Sequence, residues 1–215
     1  MHPQPPIRTF HVAGTPKTML AYDRWGSFGR PVVLLHGLLF DRTMWWPAAA
    51  ELVSARCTVV APDLPGHGQS PARDRCRLET VAAEVAQLVD RLFLHRAPIV
   101  VGHAGAAPLA TAFAARYATH AVVTLDEPPA GATGPDDLVD AAGLDRVPAV
   151  FRHYARPRRE AALFHAYAGW LGKPPTRRNQ PALAGSTHGA PKRPDRQFAP
   201  LTDPAGFAAQ LRALL

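Results

Sequence analysis

Apolar residues follow two alternating patterns along this sequence. Continuous apolar runs predict strands that are buried on both faces, at residues 31–35, 57–61, 99–101 and 121–125. Helical stretches separate them, at residues 43–53, 78–94 and 106–117. Strands that alternate with helices predict an α/β fold with a mostly parallel, doubly wound sheet and right-handed crossovers.

The two ends of the chain depart from this alternation. Residues 7–12 and 18–24 flank a Gly-Thr-Pro-Lys turn and predict an opening antiparallel hairpin. Residues 137–171 carry only weak helical periodicity. No apolar run long enough for a strand occurs between positions 173 and 202, and the polar, basic and proline-rich residues 176–194 predict a loop.

Composition bounds the class of protein. A chain of 215 residues, 47% hydrophobic and 19% charged, suits one globular domain, and we expect residues 1–215 to form it. The formal net charge of +7 is compatible with a nucleic-acid or acidic partner. Because no aromatic stacking pattern accompanies the basic residues, a solvated arginine-rich surface is the better interpretation. We therefore expect no nucleic-acid partner.

Two cysteines, Cys57 and Cys76, are too few for a disulfide framework and favour a reducing compartment. Cys57 falls in a predicted buried strand, where a thiol behaves as a small apolar group. The first residues carry no secretory pattern, and no run approaches the length of a membrane helix. We expect a cytoplasmic protein without a membrane partner, and we assign no metal or cofactor.

The most informative stretch is residues 99–107, with the sequence IVVGHAGAA. A buried strand, a tight turn of small residues and an alanine-rich helix follow one another, which is the arrangement of a nucleophile elbow. Small residues at Gly102, Gly105 and Ala106 let the strand and helix pack closely. The central position, where a reactive side chain belongs, is Ala104, whose methyl group cannot attack a substrate.

With this turn the chain resembles the α/β-hydrolase superfamily, whose elbow usually reads Gly-x-Ser-x-Gly. Three more segments carry the resemblance: residues 32–37 (VVLLHG), 59–70 (VVAPDLPGHGQS) and 203–207 (DPAGF). The resemblance implies cleavage of esters, lactones or related acyl bonds by a Ser-His-Asp mechanism. It also implies an oxyanion hole formed by the amides of Leu38 and Gly105.

The resemblance places further residues near the site. It implies a pocket around His36, Gly37, His103 and Trp45, with the His103 ring directed away from the ligand. For His36, hydrogen bonding to nearby backbone is the more common role of such a residue. Trp45 is expected either to pack in the core or to line the pocket mouth.

The rest of the triad is incomplete. Asp126 follows the sixth predicted strand and is the candidate acid, with Asp195 as the other choice. Gln197 falls where the family carries its histidine, and glutamine cannot act as a base near neutral pH. His188 is the nearest possible substitute. The fold is accordingly expected to lack its C-terminal pair of strands or to have it truncated.

Residues 131–180 stand where the family inserts a short helical cap, which shapes the pocket and excludes water. Three hypotheses for function stay open. The first is a hydrolase of small acyl ligands, impaired or inactive because of Ala104 and Gln197. The second is a non-catalytic protein that binds a ligand or partner on this scaffold. The third is cofactor-free oxygen chemistry, which needs a His–Asp base. An engineered Ser→Ala change would explain Ala104 but not Gln197.

Overall fold

A computed structural model describes residues 7–53, 57–126, 131–171 and 198–215. Its strands are β1 (Arg8–Ala13), β2 (Leu20–Trp25), β3 (Arg30–Leu35), β4 (Cys57–Pro62), β5 (Ile99–His103) and β6 (Ala121–Leu125). They form one sheet in the order β1-β2-β4-β3-β5-β6. The first two strands form an antiparallel hairpin, and the pairs from β4 to β6 are parallel. The predicted α/β architecture is therefore confirmed.

The α-helices of the described residues fall into two groups. Those of the first half are α1 (Trp46–Val53), α2 (Leu78–Asp90) and α3 (Ala107–Ala114). Those of the second half are α4 (Pro135–Ala141), α5 (Ala161–Ala166), α6 (Ala199–Thr202) and α7 (Pro204–Arg212). Short 3₁₀ turns precede α1 and α3 and lie at Leu144–Arg146, Ala149–Tyr154 and Ala168–Trp170.

Alternate residues of each central strand face two separate cores, because side chains of a strand point to opposite faces in turn. Along β5, Val100 faces α2 and α3, whereas Ile99 and Val101 face α1 and α7. All three are fully buried. This explains why the central strands read as continuous apolar runs.

The segment that follows β6 packs against the sheet through large aromatic side chains. Phe164, Tyr167 and Trp170 join the core on the α2 side. Trp170 Nε1 donates to the Cys76 carbonyl at 2.8 Å, and Tyr167 donates to the Pro65 carbonyl at 2.6 Å. Tyr167 and Trp170 thus fasten this part of the chain to the loop between β4 and α2.

No strand follows β6 among the described residues, which agrees with the predicted shortening of the sheet. The predicted loop over residues 176–194, together with Asp195, Gln197 and His188, lies outside the described residues. Cys57 and Cys76 are both buried free thiols. Within the described ranges, no helix is long and apolar enough to cross a bilayer.

Candidate functional site

The stretch from β5 to α3 makes the sharp corner expected of an elbow. Ala104 follows the last residue of β5 directly and has φ 46°. An L-residue other than Asn or Asp seldom adopts this left-handed conformation, which costs about 1 kcal/mol or more. Such strain persists only where the surroundings impose it, and it clusters at functional sites. Ala104 is partly exposed, whereas Gly105 and Ala106 behind it are buried.

The loop after β3 lies directly against this corner. A β-carbon added to Gly105 would lie 2.7 Å from Leu38 Cγ, so the two residues touch across the turn. A β-carbon added to Gly37 would lie 2.5 Å from His103 Nδ1. Only glycine permits either approach. The structure therefore brings Leu38, Gly105 and Ala104 together at the carboxyl ends of β3 and β5.

The end of β6 adds a charged group to the same region. His103 Nε2 and Asp126 Oδ2 are 3.1 Å apart, and the Phe198 amide donates to the same oxygen at 2.9 Å. His103 is 1% exposed, and its ring packs edge-on against Trp45 and Phe198. The strand alternation directs it towards the α1 and α7 face.

Backbone strain marks this region independently of the motif. Five non-glycine residues among those described have positive φ, and four of them are Leu39, Ala104, Asp126 and Phe198. Contacts link these four positions. The contact of Leu38 with Gly105 connects the neighbours of Leu39 and Ala104, and Asp126 bonds both His103, next to Ala104, and the Phe198 amide. The concentration of strain at one edge of the sheet supports a site there.

His36 and Trp45 are both fully buried. His36 Nδ1 pairs with the Gly37 carbonyl at 2.9 Å, and its Nε2 accepts from the Leu64 amide at 2.9 Å. This is the backbone-bonding role anticipated for it. Trp45 lies in the core, with its ring 5.9 Å from that of Phe207, which is the first of its two expected placements.

The His–Asp pair has the composition that cofactor-free oxygen chemistry requires. Its remaining ring nitrogen, His103 Nδ1, is buried beside Gly37 and has no hydrogen-bond partner among the described residues. A general base needs a nitrogen within hydrogen-bond reach of the substrate proton. The residues that the third hypothesis requires are therefore present. However, the described structure shows no open path by which a substrate could reach His103 Nδ1.

His67 has a contact that sequence patterns did not reveal. Its Nε2 accepts from the Leu39 amide at 3.1 Å, and its Nδ1 pairs with the Pro65 carbonyl at 3.1 Å. His36 and His67 thus each bind a backbone amide of the other's loop. The sequence signal that could have indicated this contact is the presence of one histidine in each of the loops that follow β3 and β4, which are neighbouring parallel strands.

Burial governs the protonation of both rings. It lowers the pKa of His36, although the nearby Asp63 carboxylate opposes this. It lowers the pKa of His67 well below its ordinary value, and His36 lowers it further. Because each Nε2 accepts a hydrogen bond from an amide, each neutral ring carries its proton on Nδ1.

We expect acid to destabilise the protein through these two histidines. Burial lowers the pKa of both rings in the folded protein, so the unfolded chain takes up their protons first, near the ordinary pKa of 6.5. Their contribution is complete above about pH 6.5 and is lost below it, by up to about 1.4 kcal/mol per pH unit for each histidine. Urea denaturation at successive pH values measures this slope.

Asp63 acts in the opposite sense, because burial raises its pKa and the folded protein takes up that proton first. The comparison that isolates the histidines is therefore His67→Gln, which removes one titrating ring. Its stability should decline less steeply with falling pH than that of the unaltered protein. Equal slopes would show that His67 is not held neutral by the fold.

Comparison with known proteins agrees with the geometry. The family model described as the alpha/beta hydrolase fold matches residues 30–199. This chain belongs to the α/β-hydrolase family. No curated protein sequence matches it significantly.

Solved α/β-hydrolase structures resemble the chain in fold. A variant of the N-acyl homoserine lactonase AidH, complexed with N-hexanoyl homoserine, is 20% identical, with a TM-score of 0.58 over 75% of this chain and 68% of that one. An esterase from Thermogutta terrifontis is 23% identical, with a TM-score of 0.58 over 79% of this chain and 74% of that one. An epoxide hydrolase from an endophytic Streptomyces is 26% identical, with a TM-score of 0.51 over 57% of this chain and 38% of that one.

Proposed function

We propose that this α/β-hydrolase binds a small acyl ligand, an ester or lactone, and does not form an acyl-enzyme with it. The observation that carries the proposal is the strained corner at Ala104, with φ 46°, in contact with the loop after β3. The corner keeps the geometry that presents a nucleophile and carries a methyl group in its place.

The proposed mechanism follows from the groups that remain. In acyl transfer, a serine oxygen attacks the carbonyl carbon, a histidine removes its proton, and two amides stabilise the oxyanion. Here the amides of Leu38 and Gly105 would receive the carbonyl oxygen. Each such donor contributes about 3 kcal/mol to a transition state in related enzymes. Without the serine hydroxyl, no bond to the carbonyl carbon forms.

A solved relative supports the choice of ligand. An AidH variant with one serine replaced by glycine, 20% identical to this chain, is complexed with N-hexanoyl homoserine lactone. Loss of a serine is therefore compatible with a bound lactone in that protein. We extend this ligand class to the present chain, with residues 131–180 as the cap over the ligand.

Binding of N-hexanoyl homoserine lactone tests the proposal. We expect saturable binding by calorimetry, and mass spectrometry should recover the lactone ring intact. Gly105→Ala should weaken binding about tenfold, because its β-carbon would lie 2.7 Å from Leu38 Cγ and displace that residue. Ala118→Ser is the control, since it alters an exposed residue between α3 and β6, away from the corner and from residues 131–180.

Three results would contradict this proposal. Absence of saturable binding to the lactone and to a matched linear ester would remove the ligand class. Rapid ring opening by the unaltered chain, above the rate of the buffer, would show that Ala104 does not prevent turnover. Equal binding by Gly105→Ala and the unaltered chain would place the ligand elsewhere.

A further inference from the structure

Two loops are joined by a reciprocal pair of histidine bonds. His36, in the loop after β3, accepts from the amide of Leu64 in the loop after β4. His67, in the loop after β4, accepts from the amide of Leu39 in the loop after β3. The ring centroids are 4.8 Å apart and both residues are fully buried. The pair therefore links the two loops from inside the protein.

The residue held by His67 belongs to a strained turn. The Phe40 amide donates to the Gly37 carbonyl at 3.1 Å, and Leu39 has φ 71°. This is the geometry of a type II turn, whose third position normally requires glycine. Leucine keeps this conformation only where the surroundings hold it.

The surroundings hold both peptide groups of Leu39. Its amide donates to His67 Nε2 at 3.1 Å, and its carbonyl accepts from the Arg158 amide at 2.7 Å. The Arg158 guanidinium also donates to the Gly66 carbonyl at 2.6 Å, beside His67. The turn is thus fixed from the loop after β4 and from the segment after β6.

The amide of Leu38 immediately precedes this held peptide group. Leu38 is 4% exposed, and its N–H has no hydrogen-bond partner among the described residues. Buried amides without a partner are rare in folded proteins, so a free one indicates an acceptor supplied from outside the chain. Leu38 also touches Gly105 beside Ala104.

We propose that His36 and His67 are positioning residues, which hold the Gly37–Phe40 turn so that the Leu38 N–H meets the carbonyl oxygen of an acyl ligand. This inference rests on the acyl-binding function proposed above. Neither ring touches the ligand. His67 acts through Leu39, and His36 acts by fixing the loop that carries His67.

The rings suit this role because they stay uncharged. Burial lowers the pKa of His67, and the groups facing it are His36, the Arg158 guanidinium and the Tyr167 ring. A charged ring could not accept from the Leu39 amide. The neutral form therefore preserves the bond to Leu39 across the physiological pH range.

Three proteins test the inference: the unaltered chain, His67→Ala and His67→Gln. The carboxamide oxygen of glutamine reaches where Nε2 accepts, so it can restore the bond to Leu39, whereas alanine cannot. We expect His67→Ala to bind N-hexanoyl homoserine lactone about tenfold more weakly and His67→Gln to stay within about threefold. His120→Gln, which alters an exposed histidine just before β6, outside the two loops and outside residues 131–180, is the control.

Magnetic resonance supplies a readout that does not depend on the ligand. With uniform ¹⁵N labelling, a scalar coupling between Leu39 N and His67 Nε2 should report the N–H···N bond directly. In His67→Ala, the Leu38 and Leu39 amide signals should shift together while the signals of β5 and β6 stay in place. Thermal unfolding confirms that each variant is folded.

The outcomes separate the two proposals. If the unaltered chain binds no acyl ligand, the proposed function is wrong. The positioning role then has no ligand to act on and is overturned as well. If the unaltered chain binds and folded His67→Ala binds equally well, only the positioning role is overturned. Absence of the coupling, or unshifted Leu38 and Leu39 signals in His67→Ala, overturns it as well. Weakened binding with rescue by glutamine supports it.

Discussion

Ala104→Ser together with Gln197→His is expected to create a reactive serine that neither change creates alone. The corner at Ala104 already has the strained backbone, with φ 46°, that presents a nucleophile. A serine there still needs a base, and we expect Gln197 to occupy the position of the family's histidine. General-base catalysis contributes about 10²-fold to 10⁴-fold, so the double variant should exceed Ala104→Ser by at least about 10²-fold in ester hydrolysis.

A fluorophosphonate probe reports this difference as covalent labelling, and mass spectrometry locates the labelled peptide. The unaltered chain is expected to stay unlabelled. Ser70 is the serine in the neighbouring loop, and its hydroxyl is engaged with the Ala21 amide and the Asp63 carbonyl. Label on Ser70, or strong activity of Ala104→Ser alone, would contradict our assignment of the missing groups.

The largest effect on stability is expected from Asp63→Ala. The Asp63 carboxylate is fully buried, binds the Arg42 guanidinium, and accepts from the amides of Arg42 and Gln69 at 2.9 and 2.8 Å. Removing it leaves one buried cation and two amides short of an acceptor. Breaking a buried pair in this way costs about 3–5 kcal/mol. Arg42 retains Asp23, with Nε 3.1 Å from Oδ2, so we expect about 3 kcal/mol.

Asp136→Ala is the matched control for this substitution. Asp136 pairs with Arg159, and the two side chains are 70% and 53% exposed. Exposed ion pairs contribute at most about 1 kcal/mol because water and salt screen them. Urea denaturation of both variants gives the comparison. Equal losses of stability in the two variants would mean that the buried Asp63 pair contributes no more to the free energy of unfolding than the exposed Asp136 pair.

The two effects concern one region of the molecule. Asp63 begins the loop that contains His67, and Ser70 ends it with hydrogen bonds to the Asp63 carbonyl and the Ala21 amide. The loop after β4 is therefore fixed at both ends, and its middle residue His67 contacts the turn after β3. A rigid support of this kind lets a strained turn persist beside the proposed ligand site.

The architecture could be predicted because its signals are local. The sequences of β3, β4, β5 and β6 are apolar on both faces. The opening hairpin is indicated by a cluster of turn residues between two short strands. The elbow was found from small residues between a strand and a helix. Each of these features is specified by neighbouring residues, because sheet burial and turn geometry constrain consecutive positions.

The contacts within the candidate site could be predicted only in part. The closeness of Leu38, Gly105 and Ala104 follows from a known arrangement of loops at one edge of a parallel sheet. The pairing of His103 with Asp126, and of His67 with the Leu39 amide, joins residues that are 23 and 28 positions apart. No local pattern specifies such pairs, since they depend on which strands become neighbours.

The sequence by itself determined the strand and helix order, the small-residue corner and the methyl group at its centre. Only the tertiary structure decided that Leu39 is strained, that two histidines hold each other's loops, and that the Leu38 amide has no partner among the residues that the structure describes. The physical reason is the sheet order: β3 lies between β4 and β5, so the loops that follow these strands meet at one edge. Hydrogen bonds then form across distances that sequence spacing does not encode.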